Sequence, residues 1–523
     1  MIDPETERAD AGAHRPCALA ARARALLLAG ALAAATAAGA QSPEPCCGTK
    51  TPYPAPAAVS VSPLPAGARV VHTQLVARHG ARGLTRPGAD LAWIALLRRA
   101  EQDGALRARG RALRAELERF VEVQAELGRD LPSLIDRPGY GALTRLGVAE
   151  QRGIAERMAA RVAPLLDAPP QQGLRRVEVL LSGVDRAEQS AWAFLAALEA
   201  RAPAMAPLLA QARRDARADR FTLYFHKLGG AADGAAAAGD AVRSELLRRS
   251  RAYQAYLDSP ALQQRLQRFA ERPEAEAQAR AVLEGLFEPP FVERLMKRGI
   301  DLGRSVEVER GAGRAPLRAE PKLLAQPPSA VDMVRALFDL AIAAPLFVQD
   351  AALDLRAYVG EPAMRLWAEI DDHESFYEKG PATVEGGAQT YAMAAGLLAD
   401  MLVQAEMAAA GGVAAARLRF AHAEIVLPLA LLLDLPGARQ PLAAAQDFRF
   451  ATQRWRAADW IPMSANLQWD TVLAADGRAL VRMLFNERET AFGAACDGAR
   501  LAPGSAFYLL DALRACLGPL LPP

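Results

Sequence analysis

The sequence predicts an α/β chain: a three-layer α/β sandwich core with a mostly helical domain inserted. Three observations carry this. Short apolar runs with strand character alternate with helical segments at both ends of the chain, the pattern of a layered α/β core. From about 205 to 405 the texture changes to helical segments joined by Gly- and Pro-bearing loops. A chain of 523 residues that is 51% hydrophobic and 23% charged can bury a sizeable core, as one large domain with an insertion or as two to three domains.

Taken in order, residues 26–40 are an apolar run after Arg15, Arg22 and Arg24. The run closes on Ala38-Gly39-Ala40, a small-residue cleavage site, so residues 1–40 read as a secretory signal. Residues 41–69 are rich in Pro, Ala and Ser and form an irregular arm. A strand over 69–77 delivers the run RHGAR at 78–82. Residues 91–128 carry helical periodicity, and 139–147 turn into a helix with Thr144 as its N-cap. A short strand at 177–181 is followed by Ser182-Gly183 and a helix over about 187–198. Helical segments then run over 241–257, 259–290, 331–345, 359–370 and 390–409. Residues 416–421 are a strand ending at His422, and a helix starting at Glu424 ends before Pro436-Gly437. Residues 466–473 and 479–485 pair as a hairpin around Asp476-Gly477, and a last helix spans about 505–517. The boundaries expected are a first core part over 70–205, a mainly helical cap or insertion over 206–405, and a second core part over 406–523.

Composition excludes several classes. Net charge is +2, so this is no polybasic nucleic-acid binder. Only five of the 62 cationic residues are lysines (50, 227, 297, 322 and 379). No run after residue 40 reaches a comfortable membrane span. There is no GxGxxG or P-loop pattern, and no CxxC motif. Export implies a periplasmic or extracellular protein whose Cys46, Cys47, Cys496 and Cys516 can form disulfides; Cys496 with Cys516 is the simplest local clip, and the other two are not assigned. Metal ligation is poorly supported. His422-Ala423-Glu424 is not HExxH, and the run Asp371-Asp372-His373-Glu374 reads as a solvated face before it reads as a cation site.

The chemistry concentrates at strand ends, where open α/β sheets bind ligands. His79 stands between Arg78 and Arg82. Two guanidinium groups disfavour imidazolium and leave a neutral, nucleophilic ring nitrogen. They also attract phosphate and can hold its equatorial oxygens during in-line transfer. Gly80 leaves room for close backbone approach. Arg186 lies in a second strand-end loop, and His422 ends a third strand. Glu424, two residues on, is a carboxyl group placed to protonate a leaving alkoxide.

These segments together resemble the histidine phosphatase superfamily, in its histidine acid phosphatase and phytase branch. RHGAR at 78–82 resembles the nucleophile signature. GYGALTRLG at 139–147 and SGVDRAEQSAWAF at 182–194 are similar to two further segments of that branch. FAHAEIVLPLALLLDLPG at 420–437 resembles the HAE form of the proton-donor motif, as found in the multiple inositol-polyphosphate phosphatase group. CGTKTPY at 47–53, FYEKGP at 376–381, SANLQW at 464–469 and VRMLFNERE at 481–489 also look like that group.

The resemblance implies an α/β domain with a helical cap, and hydrolysis of phosphomonoesters, including phytate, without a metal or other cofactor. It implies His79 as the nucleophile that becomes phosphohistidine and Arg78, Arg82 and Arg186 as phosphate ligands. His422 is the second histidine at the phosphate, and Glu424 the proton donor. Lys50 and Lys379 are candidates for the outer phosphates of an inositol polyphosphate. Three departures stand out. Leu84 replaces a usual Pro, which with Gly83 is expected to loosen the loop. Ala421 replaces a usual Gly. HKLGG at 226–230 replaces a more aromatic stretch. The partner expected is a phosphorylated small molecule, with no nucleic acid and no stable membrane span. A broad acid phosphatase acting on sugar phosphates and a catalytically silent phosphate-ligand binder are the alternatives. Oligomeric state is not legible.

Overall fold

The computed structural model describes residues 47–167, 176–311, 313–412 and 414–522. The expected signal over 1–40 and Cys46 lie outside the described residues. Three strands whose C-terminal ends carry the site lie side by side: β1 (Arg69–Arg78), β2 (Arg176–Leu181) and, after the two-residue β3 (Arg217–Ala218) and the hairpin of β4 (Val306–Val308) and β5 (Leu317–Ala319), β6 (Ala414–Ala421). The large sheet is completed by β7 (Asn466–Leu473), β8 (Ala479–Phe485), β9 (Arg488–Glu489) and β10 (Phe507–Leu509). Its order is β10-β8-β7-β1-β6-β2-β3, with β9 beside β8. β1, β6, β2 and β3 run parallel, whereas β7, β8, β9 and β10 add by antiparallel pairing.

The helices that matter for the site are, in chain order, α1 (Ala89–Gln102), α2 (Ala108–Glu126), α3 (Arg145–Arg161), α4 (Asp185–Arg201), α5 (Pro273–Glu284), α6 (Ala330–Ala343), α7 (Glu361–Glu378), α8 (Ala395–Ala409), α9 (Ala423–Leu432) and α10 (Leu510–Leu517). Alternation along β1 sets the layers. Leu75 and Ala77 pack with α3 and α4 through Ile154, Phe194 and Leu198. Val76 faces the other way, with Leu398 and Met401 of α8 and Val426 of α9. The chain is therefore an α/β fold with helices on both faces of a mixed sheet.

A separate apolar core, containing Trp93, Phe120, Phe287, Phe338 and Trp367, joins α1 and α2 to α5, α6 and α7. Helices from 89–126 thus share a core with helices from 273–378. The segment 91–128 is two helices, because Gly104 adopts φ +66° between them. The segment 259–290 is likewise interrupted, with Pro260 and Pro273 each opening a new helix. The last helix begins later than expected, since 507–509 pair with β8. Its end is tied by a disulfide between Cys496 and Cys516, Cα–Cα 5.6 Å. Among the described residues one helical run, Ala392–Ala409, is long and apolar enough to cross a membrane; its Leu397, Leu398, Met401 and Leu402 are buried in the core instead.

Candidate active site

Register brings the two histidines together. In the parallel pairing of β1 with β6, Arg78 stands opposite Ala421, so the next residues, His79 and His422, leave the sheet side by side. Their ring centroids are 5.5 Å apart. The His79 N–H continues the ladder to Ala421 O at 3.0 Å, and Ser182 at the end of β2 donates to Phe420 O at 3.1 Å. Arg186 lies in the first turn of α4, and its guanidinium reaches His422 Nδ1 at 3.4 Å. Three strand-end loops thus converge on one place.

The loop over 78–82 is pinned from several sides. Arg78 N–H donates to Ala465 O, Ser464 N–H to His79 O, and Thr144 N–H to Ala81 O. Glu150 of α3, which sequence reasoning missed, accepts from Ala81 N–H and from the Ser464 hydroxyl, both at 2.8 Å. Gln151 donates to Arg78 O at 2.9 Å. Thr144 caps α3 as expected, accepting from Gly147 N–H at 3.1 Å. The close approach at Gly80 is made by protein backbone: a Cβ there would lie 2.8 Å from the carbonyl carbon of Gly147. The loosening expected from Gly83 and Leu84 does not occur. Gly83 N–H donates to Ala142 O at 3.0 Å, and Leu84 N–H donates to Gln124 Oε1 at 3.0 Å. A proline at 84 has no N–H and could not make the second bond.

The histidines take complementary protonation patterns. His79 Nδ1 lies 3.0 Å from Gly80 O, an acceptor, so Nδ1 carries the proton and Nε2 keeps its lone pair. Arg186 donates to His422 Nδ1, which places the His422 proton on Nε2. Among the described residues that buried Nε2 has no partner, nor have the Nε atoms of Arg78, Arg82 and Arg186. Burial first, then Arg186, Arg78, Arg82 and His422, holds His79 well below the ordinary histidine value. Burial and Arg186 do the same to His422. The sequence pointed to the arginines; desolvation is the larger cause. Arg78 is anchored by Thr49 O and Ile461 O, each at 2.6 Å, and Arg82 by Gly83 O at 2.6 Å.

Glu424 sits in the first turn of α9, and Lys379 Nζ lies 3.3 Å from its Oε1. Burial pushes the carboxyl up, but Lys379, His226 and His422 outweigh it and hold the group well below the usual carboxylate range. His226 is the second residue missed from sequence. Its ring centroid lies 6.0 Å from that of His422, and Tyr224 stands 5.7 Å from His422 on the same side. The only signal was the unusual HKLGG stretch. Lys50 lines a cleft of about 680 Å³ with Arg82, Arg86, Lys322 and Arg335, and its Nζ pairs with Asp339 at 3.0 Å.

The run at 371–374 is no solvated face. It lies on α7, where Asp372 and His373 are buried and His373 stacks on Phe269 at 3.7 Å. The apolar partners of α7 override the polar look of its sequence. Among the described residues no group of three or more His, Cys, Asp or Glu side chains is arranged to hold a metal ion.

The fold is like that of the histidine acid phosphatase and phytase branch of the histidine phosphatase superfamily. Within it the likeness is to multiple inositol polyphosphate phosphatase. The Bifidobacterium longum enzyme in complex with inositol hexasulfate superposes with a TM-score of 0.73 at 26% identity, over 90% of this chain and 97% of that one. Its apo form gives 0.75 at 26% identity over the same shares. The phytase from D. castellii shares the fold, with a TM-score of 0.53 at 11% identity over 91% of this chain and 84% of that one. No protein-family model and no curated protein sequence matches the chain.

Proposed function

We propose that the protein is a phosphomonoesterase acting on inositol polyphosphates through a phosphohistidine at His79. The observation that carries this is the group of orphaned donors around His79: Nε of Arg78, Arg82 and Arg186, and Nε2 of His422. Buried cationic donors without partners are costly unless an anion completes them. A tetrahedral phosphate does so while presenting phosphorus to the free Nε2 of His79. In the first half-reaction, Nε2 attacks phosphorus in line and the P–O ester bond breaks. The arginines and His422 hold the equatorial oxygens. Glu424 gives its proton to the departing alkoxide. In the second, water attacks the phosphohistidine, Glu424 takes the water proton, and inorganic phosphate leaves.

The substrate reading rests on the likeness to an inositol polyphosphate phosphatase and on Lys50 and Lys379 beside the site. We further propose that the helical segment 206–405 acts as the cap shaping substrate choice, and that the protein is exported, which the Cys496–Cys516 disulfide favours.

The test is phosphate release from inositol hexakisphosphate, a sugar phosphate and an aryl phosphate, each with and without chelator. His79→Ala abolishes turnover on all three while the fold survives. Rapid quench of the wild type traps an acid-labile, base-stable phosphoryl group that the variant lacks. Loss of activity on chelation, restored by added metal, overturns the metal-free reaction.

A further inference from the structure

A general acid must carry a proton before it can give one, and Glu424 is held as a carboxylate. Most of the charged groups around it add to that field. Arg78, Arg82 and Arg186 act from the strand-end loops, His422 from the N-cap of α9, and His226 from the 225–227 turn. Lys379 stands just past the end of α7, in hydrogen-bonding contact at 3.3 Å. Against them, among the described residues, stand Glu378 and the hydroxyl side of Tyr253, and Asp371 of α7 acts on Lys379 in the same sense as Glu378. The Lys379 side chain is 15% exposed and that of Glu424 31%, so the pair opens on the site and is not sealed in the core.

We propose that Lys379 is a substrate-operated positioning residue. In the free protein it pairs with Glu424 and keeps it ionised. When a polyphosphorylated ring binds, a phosphate other than the one being transferred draws the ammonium into its own ion pair. Glu424, now beside added negative charge, takes a proton from solvent and becomes the acid the bound ester needs. The balance is one proton in per binding event; it moves to the ester oxygen as the P–O bond breaks, and the carboxylate returns. Monophosphates too small to reach Lys379 bind without arming the acid, so selection for polyphosphorylated substrates falls on kcat as well as KM. This rests on the reading of Glu424 as the proton donor.

The experiment is titration calorimetry with inositol hexasulfate, in two buffers of different ionisation enthalpy. Its sulfate esters stay ionised, so protons taken up go to the protein. Wild type should take up more than Glu424→Gln, by up to about one proton. Lys379→Met should lose most of that excess, and Lys379→Arg should restore it. Thermal melts check that each variant is folded. Equal uptake by wild type and Glu424→Gln means that the histidines take the protons, and overturns the proposal. So does full uptake by Lys379→Met. Either result leaves the phosphatase reading standing if wild type still releases phosphate from the hexakisphosphate. A wild type that neither binds the hexasulfate nor releases phosphate sinks that reading itself.

Discussion

Gly80 and Gly147 stand back to back, and the 78–82 loop rests on the N-terminal turn of α3 only because neither has a side chain. A Cβ on Gly147 would lie 2.7 Å from Ala81 N, and one on Gly80 would lie 2.8 Å from the Gly147 carbonyl carbon. Both obstacles are backbone, so neither can rotate away. The two glycines belong to motifs 67 residues apart in sequence that form one joint. Gly147→Ala should cost about 1–3 kcal/mol, the range for overpacking a close contact. Because the displaced segment carries His79 and Arg82, kcat should fall more than stability does. Urea melts beside hexakisphosphate kinetics check this. Unchanged kcat in a destabilised variant would mean that the loop moves as a rigid body with α3.

Removing the disulfide separates fold from site in the opposite sense. Cys496 and Cys516 close a loop with a sequence separation of 20, far from the strand-end histidines in the chain. The double variant to serine should lose on the order of 3 kcal/mol through the freed unfolded chain. Turnover at low temperature should remain within about twofold, since α10 packs on β8, β10 and α8. A larger drop in kcat for still-folded protein would show that α10 supports the site.

His373 makes acid sensitivity testable. It is buried, stacked on Phe269, and among the described residues neither ring nitrogen has a partner. Burial first, then Arg265, Arg272 and Arg449, lowers its pKa to about 3. The unfolded chain takes up this proton near the ordinary value of about 6.5. The folded-state pKa is depressed, so the unfolded state binds more protons between about pH 6.5 and about pH 3. Stability is intact above the upper value and falls as pH drops toward the lower one. His373→Phe removes this slope. Between about pH 7 and about pH 5 the variant should lose roughly 2 kcal/mol less than wild type by chemical denaturation. His72 and His226, each lowered to about 4, leave a residual slope in both. Equal losses would mean that His373 titrates normally in the native protein.

The hairpin of β7 and β8 was legible in the sequence, because Asp476-Gly477 between two strand-like runs is a strong turn signal, and Gly477 adopts φ +84°. The gathering of Arg78, His79, Arg186, His422 and Glu424 was legible because strand ends of a parallel sheet share an edge. Glu150 was not, because its role lies in bonds to Ala81 and Ser464 that no local pattern encodes. His226 was hidden for a related reason: it reaches His422 through a short turn outside every motif. β3, β4 and β5 are two or three residues long, too short for any periodicity to show. The run at 371–374, with Asp372 and His373 buried, misled because charge along a helix says nothing of which neighbours cover it.

Glu424 is best tested by the leaving group. An inositol alkoxide is a very poor leaving group and needs a proton as the P–O bond breaks; a nitrophenolate needs it far less. Glu424→Gln should therefore lose about 10²–10⁴-fold in kcat/KM on the hexakisphosphate, the usual range for general acid catalysis. On p-nitrophenyl phosphate the loss should be much smaller, since kcat/KM reports the first irreversible step. Some loss in kcat remains there, because the same carboxylate accepts the proton of the attacking water in the second half-reaction. In a burst experiment with the aryl ester, the variant should release phenol quickly and then stall as phosphoenzyme. The substitution also leaves Lys379 without its partner at 3.3 Å. A freed ammonium binds outer phosphates more readily, so KM for the hexakisphosphate should not rise, and the deficit should fall on kcat. Equal losses on both esters would mean that Glu424 orients phosphate and does not supply the proton. No loss on either would move the acid role elsewhere. Asp371 and Asp372 would be the next carboxyls to replace, although Asp372 Oδ1 is already taken by Ala457 N–H at 3.2 Å.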